Sequence, residues 1–186
     1  KVLDRQKKVL MVAGLMQEGA NWTPEKIKSN FSTNIQVKVV ELKSGTYATD
    51  IDGTTFDQLK ASKDPNLSSL APANNAKVAR IPNHAAVYHV MKNGQPVKVI
   101  LPVEGKGLWS TLYGFLALEK DVETIAGLTF YQHGETPGLG GEVDNPKWKA
   151  LWPGRKAFDS NGEAKIEVIK GQAGSAQDDP FSVDGL

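Results

Sequence analysis

The stretch Ala85-Ala-Val-Tyr-His-Val-Met-Lys-Asn-Gly-Gln-Pro-Val-Lys-Val-Ile-Leu-Pro-Val103 sets two runs of β-branched and aromatic residues around Asn93-Gly94. Asn-Gly adopts the two left-handed positions of a tight turn most readily, so Ala85–Met91 and Val97–Val103 are expected to pair as an antiparallel hairpin. Toward the C-terminus, Leu112–Leu118 and Ile125–Tyr131 repeat the pattern around Glu119–Thr124. Toward the N-terminus, Ile35, Val37 and Val39 alternate with polar residues as in a half-buried strand. Val2, Leu3, Val9, Leu10 and Ala13 fall near helical spacing before Gly14, which predicts a helix over 1–13. Thr23-Pro24-Glu25 supplies an N-cap, an N1 proline and a first-turn acid for a second helix to about Phe31. Residues 44–81 are broken by Asp-Gly, Asp-Pro and Ala-Pro steps, with one short helix expected at 56–62. Trp148 and Trp152, one helical turn apart, read as seating an amphipathic helix over Pro146–Trp152. Lys165–Lys170 reads as a last strand and Gly171–Pro180 as a flexible polar loop. Helices and mostly antiparallel strands alternate without a βαβ beat, so the expected class is α+β, as a single domain over 1–186.

Composition removes several functions. The chain has 22 Lys and Arg against 21 Asp and Glu, a net charge of +1, and the basic residues are not grouped along the sequence. A basic field for nucleic acid is therefore not expected. With no cysteine there are no disulfides, thiolate metal sites or cysteine nucleophiles. No apolar run approaches the roughly 20 residues of a membrane span. The chain starts at Lys1-Val-Leu-Asp4 and stops at Val183-Asp-Gly-Leu186; both ends read as cut, as in a piece of a longer protein.

Few motifs carry chemistry. His84 and His89 are five apart on one strand and point to opposite faces, while His133 lies in another segment, so no pair has metal-ligand spacing and ordinary surface or edge roles are expected. Gly105-Lys-Gly-Leu-Trp-Ser-Thr111 lacks the glycine and hydroxyl of a Walker loop, and Gly138-Leu-Gly-Gly-Glu-Val143 lacks the third glycine of a dinucleotide fingerprint. Trp109, between Gly107 and Ser110, reads equally as a ligand contact or as core. The loop Tyr131-Gln-His-Gly-Glu-Thr-Pro-Gly-Leu-Gly-Gly-Glu-Val-Asp-Asn-Pro146 holds four glycines and two prolines, more than a reversal of direction requires. It is either a multi-turn connection or a cradle whose glycines admit a ligand to the backbone, and composition does not separate the two.

Three segments together carry a family resemblance: Ile100-Leu-Pro-Val-Glu-Gly-Lys-Gly-Leu-Trp-Ser110, Tyr131 with Gly134-Glu-Thr-Pro-Gly-Leu-Gly-Gly-Glu142, and Val183-Asp-Gly-Leu186. With Val2-Leu-Asp-Arg-Gln6 and Ala61-Ser-Lys-Asp64 they make the chain resemble, over nearly its whole length, the C subunits of the Na+-translocating NADH:quinone oxidoreductases. The resemblance implies a flavin-carrying electron-transfer component of a bacterial inner-membrane translocase that passes electrons toward ubiquinone, coupled to sodium transport. It implies the other members of that complex as partners, a soluble domain on the periplasmic side, and an anchoring transmembrane helix before the region of Lys1. The implied cofactor is flavin mononucleotide (FMN), joined through its phosphate to the threonine of a Ser-Gly-Ala-Thr segment that follows an Asp-Gly-Leu sequence and so lies beyond Leu186. The isolated domain is not expected to turn over alone, and no catalytic residue or metal is expected.

On the same resemblance, the expected FMN contacts are Leu108, Trp109 and Ser110 in one segment and Glu135, Thr136, Gly138, Leu139 and Gly140 in the other, with Lys170 as a cation near the ring or phosphate. The glycines would bring amides to the ring edge, Glu135 and Thr136 would sit beside it, Leu139 would form a wall, and Ser110 would donate a hydrogen bond. The G subunits of the related ion-pumping ferredoxin:NAD complexes share the Glu-Thr-Pro-Gly-Leu-Gly loop, but their matching segment lacks the tryptophan of Leu108-Trp109-Ser110. A non-redox envelope interaction module and a stand-alone flavin reductase are the remaining alternatives.

Overall fold

The structure, a computed structural model, describes Lys1–Leu186. Its frame is a six-stranded antiparallel sheet in the order β2 (Thr46–Tyr47), β1 (Ile35–Glu41), β5 (His84–Lys92), β6 (Gln95–Lys106), β7 (Thr111–Glu119) and β8 (Ile125–Gln132). The hairpin expected from Asn93-Gly94 forms, with φ of 52° and 74° at those residues, the left-handed pair that the turn demands.

Side chains alternate across the sheet, and both faces are covered. Ile100, Phe115, Ala117 and Val90 face α1 (Val2–Val12) and α2 (Pro24–Asn34), packing on Val9, Leu10 and Ile27. Val99, Leu101, Leu116 and Leu118 face the opposite way, onto Trp148, Trp152, Ala157 and Val183 of the C-terminal segment. The helix ends follow the local signals. Thr23 Oγ1 accepts from Lys26 N–H at 3.2 Å, with Pro24 in the first turn. Beyond α1, Gly14 (φ 77°) lets its own N–H reach Met11 O and Leu15 N–H reach Leu10 O, a Schellman stop.

The structure departs from the sequence reading in three places. The irregular 44–81 region holds, besides α3 (Gln58–Lys63) and β2, a small ribbon of β3 (Ser68–Leu70) and β4 (Arg80–Pro82). The expected helix over Pro146–Trp152 is only α4 (Pro146–Lys149), although both tryptophans are buried, their rings edge-to-face at 5.4 Å. The last strand shrinks to β9 (Glu167–Val168), which pairs in parallel with β10 (Ser182–Val183). Past Lys149 the chain tightens into i→i+3 turns, Leu151 N–H to Trp148 O and Trp152 N–H to Lys149 O, and Arg155, only 4% exposed, donates to the carbonyls of Leu151, Gly174 and Asp179. Around β9 the backbone is divided between two partners, Lys165 N–H going to Ala157 O and Glu167 N–H to Phe181 O.

The Glu119–Thr124 connection carries strain. Val122 is β-branched yet has φ 61°, and it is exposed. Asp121 accepts from the Glu123 and Thr124 amides at 2.9 and 2.8 Å and holds the turn closed over it. Val122→Asn, which tolerates that conformation, is expected to stabilise the protein by about 1 kcal/mol, read as a raised urea midpoint at unchanged m-value.

Candidate functional site

Antiparallel pairing places three strand ends at one end of the sheet: the end of β6, the start of β7 and the end of β8, with Lys106 opposite Thr111 and Tyr113 opposite Gln132. The loops 107–110 and 133–144 therefore emerge side by side. The two expected ligand segments are brought together.

Glu135 joins them. It is 8% exposed, and its carboxylate accepts from Trp109 N–H at 3.1 Å, Ser110 N–H at 2.8 Å and Ser110 Oγ–H at 2.7 Å. Ser110 Oγ in turn accepts from Gly134 N–H at 2.9 Å. The Ser110 hydroxyl, with the backbone amides behind it, stabilises the ionised carboxylate and holds its pKa below the ordinary value of 4.5 against the opposing effect of desolvation. Two of the expected ligand residues thus have partners inside the protein. Glu135 turns its carboxylate toward the 109–110 amides, and Ser110 gives its one hydroxyl hydrogen to Glu135.

The glycines are explained by the same carboxylate. A Cβ on Gly140 would lie 2.2 Å from Glu135 Oε2, and one on Gly107 would lie 2.6 Å from Oε1. Gly138 serves differently, turning the loop at φ 78°. The Leu139 and Gly141 amides donate back to Thr136 O at 3.1 and 2.9 Å, whereas the amides of Thr136, Gly138 and Gly140 have no acceptor within the protein.

His133, expected as an ordinary surface residue, is part of this framework. Its Nδ1 accepts from Glu135 N–H at 3.1 Å, so Nε2 carries the proton and donates to Asp144 Oδ2 at 2.6 Å. That ties the loop to the 3-10 helix Gly140–Asp144. Nothing in the sequence marks His133 or Gly107 for these roles, because both depend on where the Glu135 carboxylate lies.

Three large apolar side chains stand out on the two loops: Leu108 is 65% exposed, Trp109 69% and Leu139 61%. Trp109 is therefore not core. Thr136 and Gly138 are also exposed. Lys170 is not joined to either loop: it is exposed, its side chain makes no ion pair or hydrogen bond, and it follows Ile169, whose amide bonds Val183 O at 2.9 Å. Exposed apolar side chains and unpaired amides on two joined loops offer a ligand both apolar contact and hydrogen-bond donors. The sequence-derived residues that remain free to touch such a ligand are Leu108, Trp109, Thr136, Gly138, Leu139 and Gly140.

Residues 107–186, which contain both loops, match the family model of the FMN-binding domain. Over its whole length the chain is 48% identical to the C subunit of the Na+-translocating NADH-quinone reductase of Pseudomonas aeruginosa, spanning 72% of that protein. It is 43% identical to the corresponding protein of Vibrio anguillarum, again over 100% of this chain and 70% of that one. The crystal structure of Shewanella oneidensis NqrC superposes with a TM-score of 0.87 at 34% identity, covering 100% of this chain and 83% of that one. The match bears out the α+β class, which the six-stranded sheet and its helices display. Sharing this fold and this much sequence with those proteins, the chain belongs to the NqrC family, the C subunits of the Na+-translocating NADH-quinone reductases.

Proposed function

We infer that this chain is the FMN-carrying electron-transfer component of a Na+-translocating NADH-quinone reductase, working beside the other subunits of that membrane-bound complex. The observation that carries the reading is the pairing of the two loops through Glu135, which sets Leu108, Trp109 and Leu139 beside the unpaired amides of Thr136, Gly138 and Gly140. FMN supplies reversible acceptance of electrons, with negative charge developing along its pyrimidine carbonyl edge. Fixed amides stabilise charge at such an edge without reorganising, which makes them the groups that tune the potential. Leu108, Trp109 and Leu139 would exclude water from the ring. Thr136 and the glycine amides would hold its polar edge. Glu135 and Ser110 would act by positioning both loops. Lys170 is retained as the cation for the phosphate end, a role that would need the C-terminal segment to lie along the 134–141 loop.

The finer placement follows the family resemblance: a domain on the periplasmic side, carried by a helix that precedes Lys1, with FMN esterified to a threonine beyond Leu186. No helix of the structure is itself long and apolar enough to cross a membrane.

The test is direct. A chain continued past Leu186 by Ser-Gly-Ala-Thr and coexpressed with a flavin transferase is expected to keep flavin fluorescence in a denaturing gel. A colourless product would sink the reading. In the same chain without the transferase, Trp109→Ala is expected to weaken binding of free FMN about tenfold, the ~1.4 kcal/mol of a lost aromatic contact.

A further inference from the structure

A second cavity opens along the β5–β6 seam beside Pro102, and its cationic end reaches Lys106 and Thr111 at the base of the 107–110 loop. The β5–β6 ladder runs from Lys92/Gln95 to Tyr88/Ile100 and then stops, although β6 continues to Lys106. Two residues beyond Tyr88/Ile100, that register sets Ala86 opposite Pro102. Proline has no N–H to give to Ala86 O, so the ladder loses that hydrogen bond there. The Ala86 N–H is taken instead by Gln58 Oε1 of α3 at 2.8 Å, which satisfies the donor and keeps the strands apart. Further along, Lys106 N–H reaches Ala76 O at 2.8 Å, so the 71–79 loop closes the far end. Backbone direction alternates along a strand, and the N–H of Glu104 therefore points into the opening as well.

The result is a slit of roughly 580 Å³ walled by Ala85, Val87, Leu101, Val103, Leu59 and Tyr113, with Leu42 and Ile81 half-exposed at its lip. That lies within the ~300–1,000 Å³ of small-molecule sites. The slit shares Ser62, Val78, Glu104 and Tyr113 with a recess of about 320 Å³, so the two adjoin at those residues. This recess carries Lys63, Lys77, Arg80 and Lys106 against the single carboxylate of Glu104, a surplus of three positive charges in a chain whose total is +1. Lys77 is held at φ 53°, a conformation a lysine does not choose freely. Asn74 enforces it by donating to Pro72 O and Val78 O and accepting from Val78 N–H, at 2.8–2.9 Å. Burial raises the Glu104 carboxyl's pKa, with Lys63 opposing, which makes it the acid least costly to set beside an anion.

We propose that this slit binds a single-chain anionic amphiphile, its hydrocarbon tail between β5 and β6 and its phosphate or carboxylate head among Lys63, Lys77 and Lys106. An apolar cleft opening onto a cationic rim matches no neutral solute and no bare anion as well as it matches a molecule with both parts. None of its residues bonds to Glu135, although Lys106 and Thr111 adjoin the 107–110 loop, so the test is made on the flavin-loaded chain.

Dodecyl phosphate, below its micellar concentration, is the probe, titrated calorimetrically into the flavin-loaded chain. One saturable site is expected. Lys63→Gln/Lys77→Gln should weaken it about five- to tenfold, as two rim charges would. Ala85→Phe, which fills the slit without changing charge, should abolish it; a thermal melt checks that this variant folds, and the lysine pair tests the site independently. Dodecanol should bind at least fivefold more weakly, and inorganic phosphate should give no saturable heat. The proposal is overturned if dodecyl phosphate gives no saturation, if phosphate alone binds as well, or if dodecanol or the lysine variant matches the wild-type affinity. It also fails if the chain sediments with phosphatidylglycerol vesicles but takes up no free amphiphile, which would mark a membrane-docking face.

Discussion

Glu135→Ala is expected to lower FMN affinity by roughly a hundredfold while leaving the melting temperature nearly unchanged. The carboxylate holds Trp109 N–H, Ser110 N–H and Ser110 Oγ to the 134–141 loop, and the one other tie, Gly134 N–H to Ser110 Oγ, runs through the same hydroxyl. Without it those donors turn to water and the two walls of the site separate, and a displacement of ~1 Å in a positioned site commonly costs about a hundredfold. The sheet and both apolar cores lie elsewhere and keep their contacts. Gly140→Ala should produce the same defect by a different route, because its Cβ would lie 2.2 Å from Glu135 Oε2 and force the carboxylate out. The double variant should then be no worse than either single one, since both break one joint. Glu135→Gln keeps an acceptor and should retain part of the affinity.

The pH dependence has a definite sign. The folded pKa of Glu135 lies below its ordinary value of 4.5, so the clamp's contribution is present in full above that value and is lost as pH falls through the lowered one. Flavin affinity should thus be flat from neutral pH down to the ordinary carboxylate range and drop only in stronger acid. Fluorescence titration of FMN checks each of these outcomes. Wild-type affinity in Glu135→Ala would remove the carboxylate from any role in the site.

Phe115→Ala should cost the most stability. Phe115 is 2% exposed and sits mid-sheet under α1, its ring centroid 5.5 Å from that of Tyr88 and 4.9 Å from that of Tyr131. Truncation removes a fully buried aromatic and leaves a cavity walled by two rings already fixed in place, a loss of about 3–5 kcal/mol. In a chain of this size that is on the order of 10 °C in melting temperature. Chemical denaturation measures it directly. A loss below ~1 kcal/mol would mean that the helices collapse onto the sheet and refill the space.

Much of the fold is legible because its signals are local. Asn93-Gly94, Thr23-Pro24 and Gly14 act within a few residues of themselves, and the alternation at Ile35–Val39 reports a face whatever covers it. The helix at Pro146 and the strand at Lys165 come out shorter than their patterns predict for the opposite reason. Partners outside each element decide them: Arg155 donates to the Leu151 carbonyl just past the helix, and the strand's amides are divided between Ala157 and Phe181. Of the expected site residues, Leu108, Trp109 and Leu139 carry a signal that survives folding, since apolar side chains in a glycine-rich loop have no core to enter. Glu135 and Ser110 stand out in the sequence but take a different role in the fold, because a carboxylate's direction is not written in its neighbours.

Taken alone, the amino-acid order determined the antiparallel strands, the two N-terminal helices, the kinship and the two loops that matter, since each rests on short-range preference or on a motif. Only the tertiary structure decided that Glu135 faces inward, that Gly107 and Gly140 exist to make room for it, that His133 braces its backbone, and that Pro102 opens the sheet. Each of those is a contact between residues brought together by strand pairing, and a contact of that kind is fixed by register and packing, which one-dimensional spacing does not encode.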